Sequence, residues 1–160
     1  MGVGSIKSEF DFISYKVDRL EYSLKPDINL LEYTEYLPSE EWNIQIAIRQ
    51  PSYFSDKAIY VAGLDVNIEL SNENTDEKLI TLSAGVAGMF KVPGERFPQE
   101  VEEQIVKNHF PVLLLPYLRS TISSLLANAG IVPFIFPLIN LHKLAEHTDI
   151  SINVIEAGNN

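Results

Sequence analysis

Near residue 98 the chain changes its hydrophobic period, and this constrains the fold more than any other feature of the sequence. Before that point apolar residues recur at every second position, and after it at every third or fourth, so sheet precedes helix along the chain. Trp42, Ile44, Ile46 and Ile48 alternate with Asn43, Gln45, Ala47 and Arg49, the pattern of a strand with one buried face and one wet face. An earlier run places Ile13, Tyr15 and Val17 on one parity and Leu20, Tyr22 and Leu24 on the other. The switch around Asp18 and Arg19 predicts a β-bulge, because one extra residue turns the following side chains to the opposite face. A third strand covers residues 58–70, with Gly63 near a second parity change and Leu64, Val66, Ile68 and Leu70 on one face. The fourth covers residues 79–92 through Ile80, Leu82, Ala84, Val86, Phe90 and Val92. Gly85 and Gly88 in this strand leave room for close approach by a backbone or an apolar guest. A turn at Pro51-Ser52, a polar hairpin loop over residues 72–78 and a stop at Pro93-Gly94 punctuate the strands.

From Pro98 onward the pattern is helical. Glu100, Glu102 and Glu103 fall in a first turn, where solvated carboxylates oppose the positive end of the helix dipole. The longest helix is predicted over residues 112–129, with Leu114, Leu118, Ile122, Leu125, Leu126 and Ala129 as its apolar stripe. Pro111 and Pro116 lie near its start, and Gly130 is placed to cap its end. An apolar connector with Pro133 and Pro137 leads to a short helix over residues 141–147. Four strands followed by helices, with no internal repeat, specify a single α+β domain rather than a βαβ weave. Its predicted limits are residues 12–148, between a flexible N-terminus over residues 1–11 and a polar tail over residues 149–160. A chain of 160 residues with 46% hydrophobic content suffices for one core.

Composition narrows the chemistry. A formal charge of −10, from 12 basic against 22 acidic residues, repels phosphate backbones and argues against a nucleic-acid partner. The absence of cysteine removes disulfides, thiolate nucleophiles and cysteine-ligated metals. His142 and His147 are five apart, about 500° around an ideal helix, so they do not form a metal pair on one face. His109 has no nucleophile or acid beside it in a recognisable arrangement. No cofactor and no enzymatic activity are expected. Uninterrupted apolar runs fall short of the roughly 20 residues of a membrane span, and residues 1–10 lack the marks of a secretory signal. A cytoplasmic protein without membrane insertion is therefore expected. The unusual feature is surplus hydrophobicity in irregular segments: Tyr33, Tyr36, Leu37 and Trp42 around the long connection after the first strand, and Phe134, Ile135 and Phe136 before the last helix. Such segments either close a core, the commoner outcome, or offer an apolar groove.

Residues 110–130 carry a resemblance that bears on this choice. An aliphatic stretch between Pro111 and Pro116, then Tyr117, Arg119, Ile122 and Ser124, resembles the long helix of the SecB family of protein-export chaperones. Pro133 and the run from Leu138 to Leu144 are similar to that family's connector and entry to its final helix. Gly88-Met89-Phe90 is similar to its fourth strand, and Trp42 stands where the family has a tryptophan before the second strand. The resemblance implies a four-stranded antiparallel sheet packed on one face by a long helix and a short C-terminal helix. It also implies a homo-oligomer, a dimer of dimers in which long helices meet at Leu118, Arg119 and Ile122. The implied activity is that of an ATP-independent holdase for unfolded polypeptides or preproteins bound for Sec-dependent export. Its groove would be lined by Tyr36, Leu37, Trp42, Phe90, Phe134, Phe136, Leu141 and Leu144. Delivery to the SecA motor is implied through acidic residues, here Glu69, Glu73, Asp76 and Glu77, although Arg19 and Ser23 stand where first-strand acids would be expected. The alternative is a dedicated SecB-like chaperone of a toxin–antitoxin pair, holding one antitoxin or small partner.

Overall fold

The structure, a computed structural model, describes residues 10–26, 42–71, 77–131 and 136–156. In chain order the elements are β1 (Asp11–Leu24), β2 (Trp42–Phe54), β3 (Ile59–Ser71), β4 (Lys78–Lys91), α1 (Gln99–Asn108), α2 (Phe110–Asn128), α3 (Leu141–Glu146) and β5 (Asn153–Ile155). They form an α+β fold with one sheet of order β1-β4-β3-β2-β5. The first four strands pair antiparallel, and β5 lies parallel to β2.

The sequence pattern predicts four strands, but the sheet has five, the last drawn from the tail read as merely polar. Three residues are too few to display a period, and what holds them is long-range. The Gln50 side chain donates to the Asp149 carbonyl at 2.7 Å and accepts from the Ser151 N–H at 2.6 Å. The Ser55 N–H then donates to the Ile155 carbonyl at 3.0 Å. Ile150 and Ile152 pack against the core.

Two punctuation marks also move. The Pro51-Ser52 pair is not a turn but a register shift inside β2, where a residue without an N–H costs no ladder hydrogen bond. The chain reverses after Phe54 instead, through Ala58 at φ 53°. β3 pairs with β4 in unbroken register through Gly63, so no bulge lies there. The predicted irregularity at Asp18 is present, between Val17 and Arg19, and another falls between Phe12 and Ser14.

Helix starts before residue 112. α1 begins after Pro98 and meets α2 at His109, whose N–H still bonds the Ile105 carbonyl at 2.9 Å while its own carbonyl accepts from the Leu113 N–H at 3.3 Å. Pro111 withholds a donor just past the junction and Pro116 another inside α2, so the pair acts as one long bent helix. At the far end Gly130 adopts φ 86°. Its N–H bonds the Ala127 carbonyl at 3.1 Å and the Ile131 N–H bonds that of Leu126 at 2.8 Å, the paired bonds of a Schellman cap. By length and composition the segment Gln99–Asn128 would reach across a bilayer, although no single uninterrupted run does. A core helix has the same composition, and the stripe Phe110, Leu114, Leu118, Ile122 and Leu126 is fully buried against the protein's own sheet.

Facing that stripe are Tyr60, Leu64, Val66 and Ile68 of β3 and Ile80, Leu82, Val86 and Phe90 of β4. The Phe90 and Phe110 rings stack with centroids 3.9 Å apart. Gly88 is what permits this approach, because a Cβ there would lie 2.6 Å from Leu114 Cδ2. Gly88→Val is therefore expected to cost about 2 kcal/mol by overpacking. A urea unfolding curve measures it, and an unshifted midpoint would mean that α2 lifts away freely.

Candidate functional site

The sheet's outer face, opposite the helices, is organised by charge. Arg49 on β2 reaches across β3 and β4 to bond Asp65 at 2.7 and 3.1 Å and Asp18 on β1 at 2.6 and 3.0 Å. It can lie flat because Gly85 is beneath it, where a Cβ would come within 2.6 Å of both Arg49 Nη2 and Asp65 Oδ1. The hydrogen bond from Arg49 holds the Asp18 carboxyl below its ordinary 3.8. Of the expected docking acids, Glu69 is paired with Lys78 at 3.0 Å and Glu77 with Lys25. Glu73 and Asp76 lie outside the described residues.

On the helix side, Glu102 departs from the solvated helix-start reading, whereas Glu100 and Glu103 fit it. Glu102 is 2% exposed. It accepts from Arg96 at 2.6 and 2.8 Å and from the Tyr60 hydroxyl, which in turn accepts from the Phe97 N–H at 3.2 Å. Burial first, and the neighbouring carboxylate second, push the Tyr60 phenol above its ordinary 10.0. The group is fully bonded and ties the start of α1 to β3 beside a cavity of about 560 Å³ that Ile150 and Ile152 help to wall. Among the described residues no cluster of three or more His, Asp or Glu could hold a metal.

The expected groove residues separate. Phe90 is fully buried between Phe12 and Phe110, with ring centroids 4.9 and 3.9 Å away, so it belongs to the core and faces no guest. Leu118 and Ile122 are likewise spent inside this chain, because their side of α2 meets the sheet; they offer nothing to a second subunit. Trp42, at the start of β2, is buried, as are Phe136 and Leu141, while Leu144 is half-buried against the same core. Tyr36, Leu37 and Phe134 lie outside the described residues.

The structure does bring together Phe136, Leu141 and Arg119. The Arg119 guanidinium sits over the Phe136 ring, 5.7 Å from its centroid. Beside it a cleft of about 340 Å³ runs between α2 and the start of α3, lined by Val112, Leu115, Pro116, Ile139 and Leu141, with Asn140 and His142 at its rim. Asn140 fixes that rim by capping α3, accepting from the Lys143 N–H at 3.0 Å. Val112 is 48% exposed and Leu138 91%. Both were visible in the sequence as apolar residues off the main stripe, but period alone could not say that they are uncovered.

A second apolar surface lies on β1. Tyr15, Val17 and Leu20 pair with Gly88, Val86 and Ala84, so they share the helix-packed face, yet α2 covers them only in part and all three stay exposed. Tyr15 stacks on Tyr117 at 4.0 Å, joining this row to α2. The Tyr22 hydroxyl in the same row is buried without a hydrogen-bond partner among the described residues.

Glu102→Ala is expected to cost about 3 kcal/mol, since it strands Tyr60 and Arg96 together. Thermal unfolding beside Tyr60→Phe, expected to cost about 1 kcal/mol, separates the ion pair from the phenol bond.

A family model described as "Preprotein translocase subunit SecB" matches residues 26–149. A curated relative, "Protein-export protein SecB" of Saccharophagus degradans, is 40% identical over 58 residues, which is 36% of this chain and only 33% of the relative. Among solved structures, the Mycobacterium tuberculosis Rv1957 SecB-like chaperone, in complex with a ChAD peptide from the Rv1956 HigA1 antitoxin, superposes with a TM-score of 0.59 at 11% identity, covering 82% of this chain and 91% of that one. The two share a fold. Because the family match begins just after β1 and takes in β2, β3, β4, the bent helix and α3, well over half of the chain, the chain belongs to the SecB family.

Proposed function

We propose that this chaperone holds unfolded polypeptide without ATP and without covalent chemistry, in the cytoplasm, and that the cleft between α2 and α3 forms part of its binding surface. The observation that carries the reading is apolar surface left open beside that cleft, at Val112 and Leu138. Large apolar surface is costly to leave in water, roughly 25 cal/mol per Å², and an unfolded guest recovers that energy by covering it. Binding the unfolded state withdraws it from aggregation by mass action, and no nucleotide is required. Leu141 lines this cleft and Phe136 packs beside it against Arg119, while Trp42, Leu144, Tyr36, Leu37 and Phe134 stay candidates for the guest surface on the resemblance alone.

Assembly follows from the second surface. β1 is the terminal strand of the sheet, and Tyr15, Val17 and Leu20 make an apolar row that a second copy would cover. The homo-oligomer therefore forms through β1 and the neighbouring flank of α2, with Leu118 and Ile122 acting only as internal support.

Two clients remain in competition. General export would have the outer face dock a basic SecA tail. A dedicated partner, such as one antitoxin, is favoured by the observation that Glu69, Glu77, Asp18 and Asp65 are already matched by Lys78, Lys25 and Arg49.

Light scattering from a denatured client diluted into buffer tests the central reading. Suppression at stoichiometric amounts without ATP is expected, Val112→Asp should weaken it severalfold, and complete inactivity of the wild type overturns it. Suppression of general clients together with binding to a SecA tail peptide favours export; a pull-down returning a single small protein favours the dedicated role. For assembly, Leu20→Asp is expected to lower the sedimenting mass while leaving the circular dichroism unchanged. An unchanged mass would exclude β1 as the contact.

A further inference from the structure

The chain contains four arginines, and three of them hold a carboxylate: Arg19 with Glu21 at 3.6 Å, Arg49 with Asp18 at 2.6 Å, and Arg96 with Glu102 at 2.6 Å. Among the described residues Arg119 holds none. There its Nε is buried and has no hydrogen-bond partner, and the ring of Phe136 is the one cation–π contact it makes. In a chain with a net charge of −10, carboxylates are abundant, yet none of the residues lining the α2–α3 cleft carries one. A buried donor left unmet costs free energy unless something completes it.

We propose that the cleft selects an apolar polypeptide segment carrying one acidic side chain, whose carboxylate accepts from Arg119 while neighbouring aliphatic groups cover Val112, Leu115 and Pro116. This rests on the polypeptide-holding function proposed above and specifies the guest. Val112, Leu115, Pro116 and Arg119 stand at spacings of three, four and seven along α2, a stripe about 10 Å long. The stripe lines an open trough, not a closed socket, so it suits an internal segment with a side-chain carboxylate better than a chain terminus. A backbone carbonyl would satisfy the N–H, but an ionised acceptor bonds a guanidinium about twice as strongly and can do so through two oxygens. Phe136 restrains the guanidinium on one side, which lowers the entropy lost when it engages a guest. The surrounding negative field repels runs of acids, so the preferred segment has a single carboxylate among apolar residues.

The test uses two fluorescent peptides, unstructured and rich in Leu and Ala, identical except for one central Glu or Gln, titrated with the full chain by anisotropy at low salt. Wild type is expected to bind the Glu peptide about tenfold more tightly. In Arg119→Gln the ratio falls to about one. It also falls in Pro116→Glu, which places a carboxylate three residues before Arg119 and removes a proline from the helix interior, so loss of selectivity there cannot be ascribed to unfolding. If Arg119→Gln does not fold, Pro116→Glu decides alone. Equal binding of both peptides by wild type overturns the proposal, as does a preference that survives in the variants. Binding of neither peptide while a denatured client is still held removes the cleft as the site but leaves the holding function standing; loss of client holding as well removes both. A changed sedimenting mass in Arg119→Gln, with no Glu preference in wild type, would assign Arg119 to subunit contact and overturn the proposal.

Discussion

Contact between the inner face of β3 and β4 and one stripe of α2 is the interaction on which everything else is arranged. Gly88 admits Leu114, Phe90 stacks on Phe110, and Leu118, Ile122 and Leu126 continue the seam toward the Gly130 cap. With that stripe committed to the sheet, the opposite side of the helix, Val112, Leu113, Pro116 and Ser120, is turned outward. The cleft beside α3 and the uncovered row on β1 are both consequences of how much of the sheet one bent helix can cover.

Local pattern made much of this legible. β2, the bulge near Asp18, the start of α1 after Pro98 and the cap at Gly130 are all announced by neighbouring residues, because alternation, proline and glycine act over a few positions. What stayed hidden depends on distance along the chain. Arg49 meets Asp65 across 16 residues and Asp18 across 31, and Gln50 reaches Asp149 across 99. No spacing rule anticipates such bonds. Glu102 is the sharpest case: beside Glu100 and Glu103 it reads as one of three solvated acids, and only the position of Tyr60 on β3 makes it the buried one.

Exposure was illegible for the same reason. Of the residues expected near the connector, Phe136 and Leu141 come together with Arg119 beside the α2–α3 cleft. Which face each one presents is a property of the packed helix, not of the motif. Thus Phe90, Leu118 and Ile122, conspicuous in the sequence, are interior, while Val112 and Leu20 stand in solvent. The outer face carries a different lesson: opposite charges laid over glycine make a polar surface with little free charge, despite the acidity of the whole.

The parallel pairing of β5 has a consequence for the order of biosynthesis. Its partner, the end of β2, leaves the ribosome about a hundred residues earlier, as the separation of Ser55 from Ile155 records. The first four strands can therefore pair before the last strand is available. Throughout that interval the far margin of β2 is bare, and such margins recruit stray strands. Protection of that margin therefore waits until β5 has been made and folds back beside β2.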